Sequence, residues 1–253
     1  MQMFSHGQWL AHGRWLLAWL KRREAFLLLA CLIVVAAVWG FVEIASEVLE
    51  GDTRAFDQWM VRAMRQPDDP AVPLGPLWLQ EMGRDATALG GMGSLTFFTL
   101  AVTGYLWLDD RRRMALFVLA ATFSGLLISL GLKQIIARPR PDLVPQLSHV
   151  VTSSFPSGHS MLSAVVYLTL GSLLAASTPR RVLKIYVLTL AILLSLLIGV
   201  SRIYLGVHYP TDVLAGWMAG LAWALLCLLV ARWLQHSRQI EPEPDTPSPR
   251  ERQ

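Results

Sequence analysis

Six apolar runs set the plan of this chain, at positions 25–44, 88–108, 114–136, 156–176, 183–200 and 212–234, each bounded by charge, proline or glycine. Runs of about 20 residues with few charges have the length of transmembrane helices. Hydrocarbon offers the backbone no partners, so each run is expected to be helical. The fold class that follows is all-α: a polytopic membrane protein with six transmembrane helices. Ahead of the first run, Trp9, Leu10, Leu16, Leu17 and Leu20 fall near one helical face and lead into Lys21-Arg22-Arg23. That pattern predicts an interfacial amphipathic helix followed by a cytosolic anchor. No clear small-x-small site follows the first run, so it reads as a retained span rather than a cleaved signal peptide.

The polar segments assign sides. Asp109-Asp110-Arg111-Arg112-Arg113 and the group Arg180, Arg181 and Lys184 mark cytosolic turns, whereas Glu43 and Glu47 follow the first run on the outside. Both termini are then cytosolic. Positions 1–24 form the N-terminal cytosolic or interfacial segment, 25–236 the six-span domain, and 237–253 a tail whose proline and charge predict disorder. The outer segment 43–87 mixes acids with Arg54, Arg62, Arg65 and Arg84 among four prolines. Within it Phe56, Trp59, Met60, Ala63 and Met64 repeat at helical spacing, which predicts a short amphipathic helix resting on the bilayer or on the bundle. Simple burial is the preferred reading of that stripe over a lid. Gly216-x-x-x-Gly220 in the last run offers a close helix contact.

Composition agrees with a membrane chain: 54% of the 253 residues are hydrophobic and 16% charged. The net charge of +4 comes with most Lys and Arg on one membrane face, so positive-inside bias explains it and a nucleic-acid partner is not expected. Cys31 and Cys227 lie inside apolar runs with no metal-ligand spacing, and read as small core residues.

Three polar segments interrupt this pattern, and all fall at the outer ends of the last four spans. They are Lys133 through Arg140-Pro141, Pro156-Ser157-Gly158-His159, and Ser201-Arg202 through His208 to Asp212. Lys133, Arg140 and Arg202 converge where acids are sparse, as a phosphate or similar oxyanion requires. Snorkelling at helix ends is the plain alternative for each cation. Arg138 reads as solvated or facing headgroups. Pro156-Ser157-Gly158 opens a helix whose free amides suit an anion, although Ser157 would also serve as an ordinary cap. His159 beside it is placed to act as a general acid on a leaving alkoxide. His208 followed four residues later by Asp212 is the arrangement that fixes an imidazole tautomer and supports its positive charge after nucleophilic attack. Neither histidine has further ligands at suitable spacing, so no metal site and no cofactor are expected. His6, His12, His149 and His236 receive no functional role.

These three segments resemble the motifs of the type 2 phosphatidic acid phosphatase family, in its order and spacing, from Lys133 to Asp212. The resemblance implies a metal-independent phosphatase working through a phosphohistidine. By position, His208 attacks phosphorus, Asp212 orients it, and His159 protonates the leaving group. Lys133, Arg140, Ser157, Gly158, Ser201 and Arg202 hold the phosphoryl oxygens. A membrane lipid phosphate or pyrophosphate is the expected substrate, handled on the periplasmic or extracellular side of the plasma or inner membrane. Transfer to another acceptor, vanadate-dependent haloperoxidase chemistry on the same anion site, and non-catalytic lipid binding are the alternatives. The outer segment 43–87 carries no motif to transfer.

Overall fold

The computed structural model describes residues 23–236 apart from 143, 146 and 148–151. The expected interfacial helix, His6, His12, His149 and the tail lie outside these residues. Within them the chain forms eight helices and no strand ladder. Helix α1 (Arg23–Glu50) ends at Gly51, whose φ of +91° lets the chain turn while its amide and that of Asp52 return to Glu47 O. Two short helices follow, α2 (Arg54–Ala63) and α3 (Leu77–Leu89). The remaining five are α4 (Met92–Leu108), α5 (Arg112–Ile135), α6 (Gly158–Ala176), α7 (Arg181–Tyr204) and α8 (Pro210–His236).

Five of these, α1 and α5 to α8, are long and apolar enough to cross a membrane. The second expected run is differently built. Gly90 and Gly91 interrupt it, and α3 and α4 meet there at a 47° bend, so the pair makes a sixth span only if counted as one. The fifth run was expected to end near residue 200, but α7 continues to Tyr204, so Ser201 and Arg202 sit in its last turn rather than beyond it. Apolarity stops before the helix does, because the backbone still needs its own hydrogen bonds at that depth.

Helix α6 is the central post, packed mainly against α7 and α8, with α5 and α4 on its other side. Of the five spans it is the most buried. The expected glycine contact is present: a Cβ at Gly216 would lie 2.7 Å from Ser157 O, and one at Gly220 would lie 2.5 Å from Met161 O. Backbone cannot retract as a flexible side chain can. Gly220→Ala is therefore expected to destabilise the fold by about 1–3 kcal/mol, the usual cost of overpacking. A lowered thermal midpoint of the protein in detergent would register it.

Apolar clusters fill the two ends of the bundle. Leu106, Met114, Ala115, Val118 and Ala231 pack one end, while Ala45, Ile136, Phe155 and Ala215 join α1 to the other. The apolar stripe of α2 is split: Met64, just past its end, packs against Tyr204, Leu205 and Val207, and Met60 is half-buried. Phe56, Trp59 and Ala63 face outward, and the buried residues are Asp57 and Val61. The expected short amphipathic helix is present, part of its stripe meets the bundle, and the residue the sequence did not single out is the buried carboxylate Asp57.

Candidate active site

Helices α5 to α8 bring their polar ends together at one end of the bundle. Proline starts α8 at Pro210, where a missing amide costs nothing, and Asp212 falls in its first turn. His208 sits just before that helix and is 1% exposed. Arg140 Nη1 lies 3.1 Å from His208 Nε2, and it also donates to Val207 O at 2.6 Å. A guanidinium only donates, so Nε2 meets it with a lone pair and the ring proton is assigned to Nδ1. On that side, Asp212 Oδ2 stands 3.4 Å from Nδ1. The carboxylate is fixed by more than the histidine: Ser154 Oγ and Tyr209 N donate to Oδ2, and Arg138 Nη1 donates to Oδ1 at 2.7 Å.

Burial pushes the His208 imidazole down to about 4, against the opposing pull of Asp212 and with further lowering by Arg140 and Arg202. The ring is therefore neutral near pH 7, the form with a free lone pair. Burial also acts on Arg138, but Asp212 and Asp57 together hold its guanidinium above the ordinary value. Arg140 is lowered by burial, partly offset by Asp212.

The other expected residues gather around Nε2 to different degrees. His159, in the first turn of α6, interacts electrostatically with Arg202, His208, Arg140 and Lys133. Gly90, at the α3–α4 break, leaves room beside it: a Cβ there would lie 3.4 Å from His159 Cδ2 and 2.4 Å from Ile198 Cγ2. Lys133 Nζ donates to Ser153 O at 2.8 Å, and Ser153 Oγ returns a bond to Lys133 O. A Cβ on Gly158 would meet Lys133 Cε at 3.4 Å, an ordinary contact, which places the lysine stem against the start of α6. Arg202 is 1% exposed; its Nη1 donates to Thr87 Oγ1 at 2.8 Å, while Nε and Nη2 are buried with no acceptor. Arg65, outside this cluster, has the same two atoms without an acceptor, so it is the company of Lys133, Arg140 and His159 that sets Arg202 apart.

Two serines are engaged within their own helices. Ser157 Oγ accepts from Ser160 N and Ser160 Oγ, the capping alternative seen in the sequence, and Ser201 Oγ donates to Ile198 O at 2.6 Å. What the start of α6 offers an anion is its first-turn amides, which no helix satisfies internally. Arg138 is neither solvated nor free for headgroups. It pairs with Asp212 and Asp57, each at 2.7 Å, and lies over the Tyr209 ring at 4.4 Å. Sequence reasoning also passed over Asp57, Thr87 and Ser154, which carry no motif of their own. Among the described residues, no three His, Cys, Asp or Glu side chains converge as a metal site.

Counting charge, Lys133, Arg138, Arg140 and Arg202 stand against Asp57 and Asp212, an excess of cations. Such a site favours a multiply charged oxyanion over a divalent cation.

The chain is 34% identical over 154 residues to phosphatidylglycerophosphatase B of Bacillus subtilis, covering 60% of this chain and 74% of that one. The chain belongs to the PAP2 superfamily. The PAP2 superfamily model itself matches residues 113–236, the stretch that holds every residue of the expected site. A lipid A 1-phosphatase of Rhizobium etli is 32% identical over 182 residues, 61% of this chain and 72% of that protein. The crystal structure of a transmembrane PAP2-type phosphatidylglycerolphosphate phosphatase from Bacillus subtilis superposes with a TM-score of 0.72 at 29% identity, over 79% of this chain and 96% of that chain. The matched segment thus begins in α5, and helices α2 and α3 precede it.

Proposed function

We propose that this PAP2 protein is a membrane lipid phosphatase that hydrolyses a lipid phosphate or pyrophosphate through a phosphohistidine, without a metal ion. The observation that carries the reading is the buried Arg202, with two donors lacking acceptors, in the same cationic cluster as the Nε2 lone pair of His208. In this mechanism Lys133, Arg140, Arg202 and the first amides of α6 hold the phosphoryl oxygens. His208 Nε2 forms a bond to phosphorus as the bond to the leaving oxygen breaks, and His159, entering the step protonated beside the bound phosphate, gives that oxygen a proton and becomes neutral. Asp212 supports the positive ring. Water, deprotonated by His159, then attacks phosphorus, releasing inorganic phosphate and restoring neutral His208. Clustered cations supply the charge stabilisation on which phosphoryl transfer depends.

The same proposal covers topology. Residues 25–236 form one six-span catalytic domain, with α3 and α4 as a single bent span and both termini cytosolic. Arg111, Arg112, Arg113, Arg181 and Lys184 lie at the helix ends opposite His208, and positive-inside bias then supports a site on the outer face of the plasma or inner membrane. There a lipid keeps its tails in the bilayer while its phosphate enters between helices. The relatives' names suggest phosphatidylglycerol phosphate and a lipid A 1-phosphate as substrates to try, and a further relative named as a putative undecaprenyl-diphosphatase adds the pyrophosphate.

The test is phosphate release by purified protein from these lipids and phosphatidate, with chelator present. Turnover of at least one lipid is expected, unaffected by chelator. Because neutral His208 is the reactive form, kcat/KM should be retained on acidification and fall only as pH drops through about 4, where the ring gains its proton. Loss of activity with chelator, or a limb near the ordinary histidine value, would count against the scheme.

A further inference from the structure

Asp57 belongs to a helix outside the PAP2 match, yet it is fully buried and bound on both oxygens. Its Oδ2 accepts from Arg138 Nη2 and from Thr211 Oγ1, each at 2.7 Å, and its Oδ1 accepts from Thr211 N at 3.2 Å. The opposite arm of Arg138, Nη1, donates to Asp212 Oδ1. A chain of carboxylate, guanidinium and carboxylate therefore runs from α2 to the acid beside His208.

We propose that Asp57 is a positioning residue for the nucleophile, holding Arg138 between two carboxylates so that only one oxygen of Asp212 is taken and the other stays with His208. This rests on the reading of His208 as nucleophile. The geometry explains why one counter-ion is insufficient. A guanidinium forks readily onto both oxygens of a single carboxylate. Deprived of Asp57, Arg138 would close on Asp212 and compete for Oδ2 with His208 Nδ1, Ser154 Oγ and Tyr209 N. Asp57 also serves the first turn of α8 by accepting from the Thr211 amide, so it fixes the start of the helix on which Asp212 rides. Arg54 shares with Asp57, Arg138 and Tyr209 the wall of a cavity of about 420 Å³. Asp142 lies near Tyr209. Facing His208 are Asp212 on α8, Arg140 from the preceding loop, Arg202 on α7, and His159 on α6, with Lys133 on α5 beside them.

The test compares full-length wild type, Asp57→Asn, Arg138→Gln and the double variant Asp57→Asn/Arg138→Gln for lipid-phosphate hydrolysis in detergent micelles. Outer partners that orient a reacting group commonly matter by about 10- to 100-fold. Asp57→Asn is expected to lower kcat by that order with KM nearly unchanged, since the phosphate-holding cations are untouched. Asp57→Asn leaves Arg138 paired with Asp212 alone, Arg138→Gln leaves two buried carboxylates without their cation, and the double variant restores the wild-type net charge of the three side chains, so the double should be no worse than Arg138→Gln. Arg138→Gln should also move the acid limb of kcat/KM upward, because a positive charge near His208 is gone; a purely structural role would not move it. Where Asp57→Asn does not fold, the charge-balanced double variant and Arg138→Gln carry the comparison. Unchanged kcat in Asp57→Asn, or losses that multiply in the double variant with an unmoved limb, would overturn the assignment while leaving an active wild type and its function intact. Absence of turnover in the wild type on every lipid would instead remove the functional reading and this one with it.

Discussion

His208→Ala is expected to reduce kcat/KM for lipid-phosphate hydrolysis by about 10⁴-fold or more, the scale seen when a covalent catalyst loses its nucleophile. The loss should fall on chemistry and spare binding. Lys133, Arg140 and Arg202 owe their placement to other contacts: Ser153 O for the lysine, Val207 O and Thr152 O for Arg140, and Thr87 for Arg202. The oxyanion site therefore survives the substitution, and orthovanadate should still inhibit or bind with nearly the wild-type affinity. The decisive measurement is rapid acid-free quench of enzyme with radiolabelled lipid phosphate. Wild type should retain label in an alkali-stable, acid-labile adduct, as expected for phosphohistidine, and His208→Ala should retain none. Activity of the variant within tenfold of wild type, or an adduct that persists in it, would move the nucleophile elsewhere.

How much of this was legible in the sequence follows from where each residue's partners lie. Lys133, Arg140, His159, Arg202, His208 and Asp212 stand out because polar groups at the ends of apolar runs are conspicuous, and their spacing survives as a motif. The Gly216–Gly220 contact was legible for a similar reason, since small residues four apart lie on one helical face. Asp57 was not. Its partners Arg138 and Thr211 are 81 and 154 residues away, and periodicity in one chain does not report such distances. The amphipathic rule found α2 but not its buried acid. It assumes water outside and apolar contact inside, but beside a bilayer an apolar stripe such as Phe56 and Trp59 can turn outward while the acid turns in. Arg138 suffered from the same blindness, being readable as a surface cation until Asp57 was placed opposite it. The extra turn of α7 was hidden because hydropathy marks where the apolar run ends, not where hydrogen bonding does.

Arg202 yields the other large effect, and its sign differs between activity and stability. Among side chains almost wholly removed from solvent it is the largest, and only Nη1 has a partner, the Thr87 hydroxyl. A buried cation without an anion is unfavourable in the unliganded fold, because desolvation is not repaid by pairing. The same donors become useful when a phosphoryl group arrives and negative charge must be met in a site of low polarity. Arg202→Met, which keeps an unbranched apolar stem, is thus expected to leave the thermal midpoint of the free protein unchanged or raised. Its kcat/KM should nevertheless fall by about 10²- to 10³-fold, the range for removal of one preorganised donor, equivalent to about 3–4 kcal/mol of transition-state stabilisation. Arg202→Lys should recover little, because a point charge cannot present the two separate donors that Nε and Nη2 provide. Thermal unfolding with and without orthovanadate reads both halves together. Wild type should gain stability from the oxyanion and Arg202→Met should gain much less. A variant that is destabilised when free, yet equally stabilised by vanadate, would make Arg202 a structural residue and leave the anion to Lys133, Arg140 and the amides of α6.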